Sequence, residues 1–350
     1  MSRPSEIDRS FAALTPEFML DALEAAGLRG DGRLLQLNSF ENRVIQVHLE
    51  DGPEFTGVAV AKFYRPGRWT DAQILEEHAF AAELAEAEVP VAAPWKLGGS
   101  TLRHEQGQRF AVTARQGGRG PELEDPDVLR WIGRLLGRLH NVGRQRPFKH
   151  RLRWADAEPA RAARDLLVEL EAVPLEIRPA WLDVVNRCIT AIEEAFANVP
   201  DLQCLRLHGD CHPGNILWTP DKGPHFVDLD DAVTGPAVQD LWMLLSGDAL
   251  SMRLQFGHVL DGYETVADFD ARELALIEPL RTIRMIHHSA WLARRWGDPA
   301  FPLAFPWFGT PNYWNDQVAK LREQIEAMRA PSTAPDMPAP VEEEYKFWDE

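Results

Sequence analysis

Apolar residues recur along this chain with two periods, and the dominant period changes near residue 115. "TPEFMLDALEAAGL" predicts a helix with Thr15 as its N-cap, Pro16 in the first helical position and Gly27 as its stop. "RLLQLNSFENRVIQVHLED" then offers two apolar runs around a polar turn, and "FTGVAVAKFY" alternates small and β-branched residues as a strand does. "TDAQILEEHAFAAELAEAEV" returns to helical spacing, with Ile74, Leu75, Ala79, Phe80 and Leu84 near one face and Pro90 beyond its end. A further strand, "RFAVTA", runs into "RQGGRG", whose three glycines mark a hinge, so a boundary is expected between residues 113 and 120.

Beyond the hinge the pattern is mostly helical. "DPDVLRWIGRLLGRLHNVG" has Asp125 as cap and apolar residues at 129, 132, 135, 136 and 139 on one stripe. "PAWLDVVNRCITAIEEAFANV", "AVQDLWMLLSGD" and "LIEPLRTIRMIHHSAWLARRW" continue in that manner. Between them, "CLRL", "NILW" and "HFVDL" read as short strands, the last two paired through a turn at 219 to 224. The fold class expected is α+β and bilobal: a small β-rich N-lobe over residues 1–115 and a larger, mainly helical C-lobe over 116–329. Residues 330–350 combine four prolines with six carboxylates, and such a segment gains too little burial to offset its ordering entropy, so a disordered acidic tail is expected.

Composition narrows the function classes. No apolar run approaches the roughly 20 residues that span a bilayer, the N-terminus lacks a secretory core, and three cysteines are too few for a disulfide framework. A cytoplasmic protein is expected, with no membrane partner. The formal charge of −17 argues against nucleic acid, whose phosphates call for clustered Lys and Arg. The basic patches "RPGR" at 65 to 68 and "ARRW" at 293 to 296 read as surface charge or structural ion pairs.

The densest chemistry lies in "LRLHGDCHPGNILW". A metal clasp of His208, Cys211 and His212 fails because Gly209, Pro213 and Gly214 oppose the helix that would give an i, i+4 histidine pair a shared face. Cys211 with His212 as its base fails because neighbouring residues do not face one another. The predicted hairpin instead brings Asp210, Asn215 and Asp228 to one end, the D-x-x-x-x-N…D arrangement of phosphoryl transfer. The first Asp accepts the hydroxyl proton, while the Asn oxygen and the second Asp are hard ligands suited to Mg²⁺ on ATP phosphates. Taken alone, Asp210 and Asn215 would also make an Asx turn. His208 would brace the turn, and Asp240 is placed either to hydrogen-bond this loop or as a helix-face charge. "HFVDLDDAV" carries a minor rival, the D-x-D of haloacid-dehalogenase phosphatases.

"VAVAKFY" resembles the kinase strand that carries a phosphate-binding lysine, and it places Lys62 beside Val58 and Val60, an odd position for an ammonium unless phosphate or carboxylate meets it. Glu77 is the expected partner and Glu76 the alternative. Where a protein kinase has G-x-G-x-x-G, this chain has "NSFENR" without a glycine, which leaves backbone N–H groups and the Ser39 hydroxyl to hold phosphate.

"HGDCHPGNILW" followed by "FVDLDDA" is similar to the pattern of the aminoglycoside phosphotransferase and choline kinase superfamily, a branch of the protein-kinase-like fold. "LNSFENRV", "KFYRPGRWTDAQILEEH", "EVPVAAP", "GPAVQDLWMLLSGD" and "WLARRWGDPAFP" resemble the bacterial stress response kinase A family over roughly residues 12 to 325. The resemblance implies a monomeric Ser/Thr protein kinase using Mg²⁺ and ATP, with protein substrates. On this sequence it implies Asp210 as proton acceptor, Asn215 and Asp228 as Mg²⁺ ligands, Ser39 at the ATP site and a Lys62–Glu77 pair. The alternatives are a small-molecule kinase of the same superfamily, acting on amino alcohols, sugars or aminoglycosides, and a nucleotide-binding module without turnover.

Overall fold

The computed structural model describes residue 11, residues 14–50 and residues 55–330, so the expected acidic tail beyond residue 330 lies outside the described residues. Helix α1 (Pro16–Ala25) starts where predicted, and the Thr15 hydroxyl accepts from the Phe18 N–H at 3.2 Å. Strands β1 (Gly30–Gln36), β2 (Arg43–Leu49), β3 (Gly57–Phe63), β4 (Arg103–Glu105) and β5 (Gln108–Ala114) form one antiparallel sheet in the order β1-β2-β3-β5-β4. Strand β4 was not foreseen from the sequence; three residues carry too short a pattern to register. Alternation along β3 sends Ala59, Ala61 and Phe63 into a core with Ile45, Val47 and Val112, and leaves Lys62 on the opposite face with Val58 and Val60.

Helix α2 (Asp71–Glu86) crosses between β3 and β4 and opens with a capping box of Thr70 and Gln73. Its inward face is Ile74, Glu77, His78, Phe80, Ala81 and Leu84. Leu75 and Ala79, expected on that face, point outward, and Leu75 is 42% exposed. The buried polar residues of α2 are Glu77 and His78.

From Pro126 onward the chain is mainly helical: α3 (Pro126–Gly143), α4 (Glu158–Glu169), α5 (Arg178–Ala197), α6 (Val238–Trp242), α7 (Ala249–Tyr263), α8 (Ile277–Arg295), α9 (Ala300–Ala304) and α10 (Pro311–Arg329). Asp125 caps α3 by accepting from the Asp127 N–H at 2.8 Å. The helix predicted in "AVQDLWMLLSGD" is only five residues long, while α4, α7 and α10 were not singled out beforehand. Strands β6 (Leu205–Leu207) and β9 (Val233–Gly235) pair with each other, and β7 (Ile216–Thr219) and β8 (Gly223–Phe226) form the predicted hairpin.

One core ties the sheet-bearing region to the helical part. Phe80, Ala81 and Leu84 of α2 share a cluster with Leu129, Ile132 and Leu136 of α3 and with Cys211, Ile216 and Phe226. A second cluster joins α4, α5, α8 and α10 around Trp181 and Trp314. Helices α3 and α7 approach so closely that a Cβ on Gly133 would lie 2.0 Å from the Val259 carbonyl oxygen, and one on Gly262 would lie 1.9 Å from that of Arg130.

Two stability predictions follow from this packing. Gly133→Ala forces the helices apart and is expected to cost about 1–3 kcal/mol, seen as a lower urea midpoint; an unchanged midpoint would show that α3 and α7 slide freely. Glu273, buried beneath α6, accepts from the Val238 N–H at 2.8 Å, and burial pushes its carboxyl up to about 7. A carboxyl raised above its unfolded value binds a proton on folding, so its contribution falls as pH rises from about 4.5 to about 7. Relative to wild type, Glu273→Gln should therefore gain midpoint between pH 5 and pH 7.5; a parallel pH dependence in the two proteins would remove Glu273 from the titrating set.

Candidate active site

The loop after β6 is shaped by a carboxylate underneath it. Asp240 of α6 is wholly buried and accepts from the His208 N–H through Oδ2 and from the Gly209 N–H through Oδ1, each at 2.8 Å. His140 of α3 lies 3.2 Å from the same Oδ2. Of the two roles open to Asp240, the loop contact is the one adopted. Gly209 sits at φ +85°, and a Cβ there would fall 2.1 Å from the Asp231 carbonyl oxygen, so the position accepts glycine for both reasons. His208 spans the turn: its Nδ1 accepts from the Asp210 N–H at 3.4 Å, which leaves Nε2 to donate to the Val227 carbonyl at 2.9 Å. Cys211 is fully buried in the apolar core, and burial holds its thiol well above the ordinary range. It fills space beneath the loop.

Asp210 emerges from this turn with 16% of its side chain exposed. The Asn215 amide donates to the Asp210 carbonyl at 2.9 Å and lies 3.4 Å from Asp210 Oδ2, which leaves the Asn215 side-chain oxygen without a share in that contact. Arg284 Nη2, from α8, lies 2.8 Å from Asp210 Oδ1. Burial alone would raise the Asp210 carboxyl, but Arg284 overrides it and holds the group at about 2, ionised throughout the neutral range.

Asp228 follows β8 in a left-handed conformation, φ +58°, a strain of about 1 kcal/mol that turns its carboxylate outward, 49% exposed. Lys62 Nζ is 2.6 Å from Asp228 Oδ1 and 4.0 Å from Asp230 Oδ1. The ammonium thus meets the two carboxylates that follow β8; the ion pair with Glu77 implied by the family resemblance is not formed. Glu77 is buried, and burial lifts its carboxyl to about 7 despite Lys62. Glu77 remains close enough to help hold the ammonium charged, after Asp228 and Asp230. Glu76 points elsewhere and accepts from the backbone N–H groups of Lys149, His150 and Arg151.

The turn 37–42 between β1 and β2 is built from charge. The Ser39 hydroxyl accepts from the Asn42 N–H at 3.3 Å, and the Asn42 amide donates to Asp230 Oδ2 at 3.1 Å. Glu41 lies 2.5 Å from Arg295 Nε, 3.5 Å from Arg65 and 3.7 Å from Arg68, and accepts from the Trp291 indole N–H at 2.7 Å. Arg65 also reaches Asp298 at 2.9 Å, and Arg68 binds both Asp230 and Asp231. Arg65, Arg68 and Arg295 of the two basic patches are therefore engaged in structural ion pairs. Phe40 adds ring contacts with Phe301 and Phe305, at 6.1 and 5.1 Å between centroids.

Lys62, Asp210, Asn215, Asp228 and Glu77 thus gather where the sheet meets the helical part. Arg284, Arg68 and Asp230 were not assigned to the site from the sequence. Asp230 had a signal in its D-x-D spacing and Arg68 in "RPGR", but Arg284 had none, because its place on α8 is set by tertiary packing. Among the described residues no three His, Cys, Asp or Glu side chains converge as a metal-ligand set. The donors do suit a hard cation shared with a nucleotide: an outward carboxylate at Asp228 and an amide oxygen at Asn215, with phosphate oxygens completing the shell.

Residues 33–277 match the phosphotransferase enzyme family. Over 322 residues, 92% of this chain and 96% of the relative, the chain is 46% identical to stress response kinase A of Escherichia coli (strain K12). It is equally similar, over the same shares, to a Salmonella typhimurium (strain LT2) protein named serine/threonine protein kinase RdoA. Among solved structures, amicoumacin kinase hAmiN in complex with AMP-PNP, Ca²⁺ and Ami is 19% identical with a TM-score of 0.65, covering 88% of this chain and 93% of that one. A microcompartment-associated aminopropanol kinase is 18% identical with a TM-score of 0.56, covering 85% and 91%. These structures share the fold, in which Asp228 closes a two-stranded antiparallel hairpin, and the family match leaves no place for the phosphatase reading. The family match and the near-complete coverage of these relatives show that the chain belongs to the phosphotransferase enzyme family, and within it to the stress response kinase A group.

Proposed function

We propose that this phosphotransferase is a cytoplasmic, monomeric Ser/Thr protein kinase that uses Mg²⁺ and ATP. The observation that carries the nucleotide part is the 2.6 Å contact between Lys62 and Asp228, which joins the sheet to the segment after β8. In this reading Lys62 binds ATP phosphates, Ser39 and the backbone of its turn lie over them, and Glu77 takes up the ammonium when phosphate engages Asp228's side of the cleft. Asn215 and Asp228 would hold Mg²⁺, which would neutralise charge on the phosphates. The acceptor hydroxyl attacks the γ-phosphorus, the bond to the β,γ-bridging oxygen breaks, ADP leaves, and the hydroxyl proton passes to Asp210. A carboxyl held at about 2 is a weak base, which suits a loose transfer in which the proton moves late. The protein acceptor is supported by the name of one relative, serine/threonine protein kinase RdoA. The fold neighbours named for amicoumacin and aminopropanol support a second reading, a small-molecule acceptor.

With γ-labelled ATP, Mg²⁺ and dephosphorylated casein, wild type is expected to label protein, and Asp210→Asn to lower the rate by roughly 10²–10⁴-fold with little change in the KM for ATP. Lys62→Met should act on the other side, raising the KM for ATP. Absence of labelling in wild type, together with ADP release stimulated by amino alcohols or amino sugars, would replace the protein acceptor by a small molecule.

A further inference from the structure

The two oxygens of the Asp210 carboxylate are held unequally. Oδ2 lies 3.4 Å from the Asn215 amide and 3.6 Å from His212 Nε2, both long contacts, whereas Oδ1 lies 2.8 Å from Arg284 Nη2. The close partner comes from outside the loop. Arg284 stands on α8, where Ile283, Ile286, Ala290 and Leu292 are buried in the core around Trp181 and Trp314, so its backbone is fixed by packing. The terminal torsion of an aspartate is broad and nearly two-fold, and a carboxylate clamped through neither oxygen samples many orientations. The same helix contacts the phosphate-side turn through Trp291 and Arg295, two turns and more beyond Arg284. One rigid element therefore references both ends of the cleft.

We propose that Arg284 is a positioning residue for phosphoryl transfer: it fixes the Asp210 side chain through Oδ1 and leaves Oδ2 turned to the acceptor hydroxyl. This rests on the reading of Asp210 as proton acceptor. Its contribution is geometric as well as electrostatic, because a guanidinium offers a planar fork and an ammonium of similar charge does not. Misplacement of a reacting group by about 1 Å can cost about 100-fold in rate. Loss of the clamp should therefore act on turnover and spare nucleotide binding.

The test compares wild type with Arg284→Met and Arg284→Lys in the full chain, following ADP release with Mg²⁺·ATP in the presence and absence of dephosphorylated casein, and thermal unfolding of each protein. Arg284→Met is expected to lower kcat by roughly 10–100-fold with the KM for ATP within about twofold, and Arg284→Lys to recover only part of the loss. Arg284→Gln, which keeps a side-chain donor, replaces the methionine variant if that one fails to fold. The proposal is overturned by an unchanged kcat, or by kcat and KM moving together with the unfolding temperature and being fully restored by lysine. If wild type releases ADP but labels no casein, the protein acceptor fails while Arg284 is still judged on ADP release. If Asp210→Asn releases ADP as fast as wild type, or wild type releases none in either arm, the role of Arg284 falls with that of Asp210.

Discussion

The loop between β6 and β7 depends on a single buried carboxylate. Asp240 has no exposed surface, and a charge in that position is tolerable only when its lone pairs are filled. Two backbone N–H groups and His140 fill them. The chain continues outward: the Tyr263 hydroxyl lies 2.9 Å from His140 Nδ1, and Arg144 donates to that hydroxyl at 3.3 Å. Burial keeps His140 neutral, with Nε2–H directed to Asp240 and Nδ1 free to accept from Tyr263. The conformation that presents Asp210 is thus the one that satisfies Asp240, and any other would leave an uncompensated charge in the core.

Around that loop the charges are arranged in linked pairs. Asp230 is held ionised, below the ordinary range, because Arg68, Lys62 and Arg151 outweigh its burial; Asp210 is held low by Arg284. Two of these cations serve more than one anion: Arg68 touches Glu41, Asp230 and Asp231, and Lys62 touches Asp228 and Asp230. Asp228, paired with Lys62, keeps its carboxylate half exposed on a left-handed backbone.

The fold class and the convergence of Lys62, Asp210, Asn215 and Asp228 were legible because their signals are local. Caps at Thr15 and Asp125, the alternation around Lys62 and the hairpin between Asn215 and Asp228 each follow from residues close in sequence. The inward face of α2 was read partly wrongly: Glu77 lies inward beside Phe80, Ala81 and Leu84 as its helical spacing implies, but Leu75 turns outward and buried His78 looks polar in any periodicity argument. The His78 ring is satisfied by the Tyr64 hydroxyl at 2.7 Å and the Thr101 hydroxyl at 2.8 Å, partners that lie outside its own helix. Arg284 and the Glu41 cluster escaped for the same reason: each joins segments far apart in sequence, and no local pattern announces a guanidinium whose carboxylate lies on another element.

Glu41 changes how the glycine-free turn is to be understood. A glycine-rich loop follows phosphates because its backbone is free to bend; this turn is instead referenced to α8 and to the segment after it, through Arg295, Trp291 and the Arg65–Asp298 pair. Its position over the cleft is therefore a property of two halves of the molecule at once. A displacement of α8 by a fraction of an ångström would be felt at the turn and, through Arg284, at Asp210 in the same instant, so that the two share one mechanical ruler.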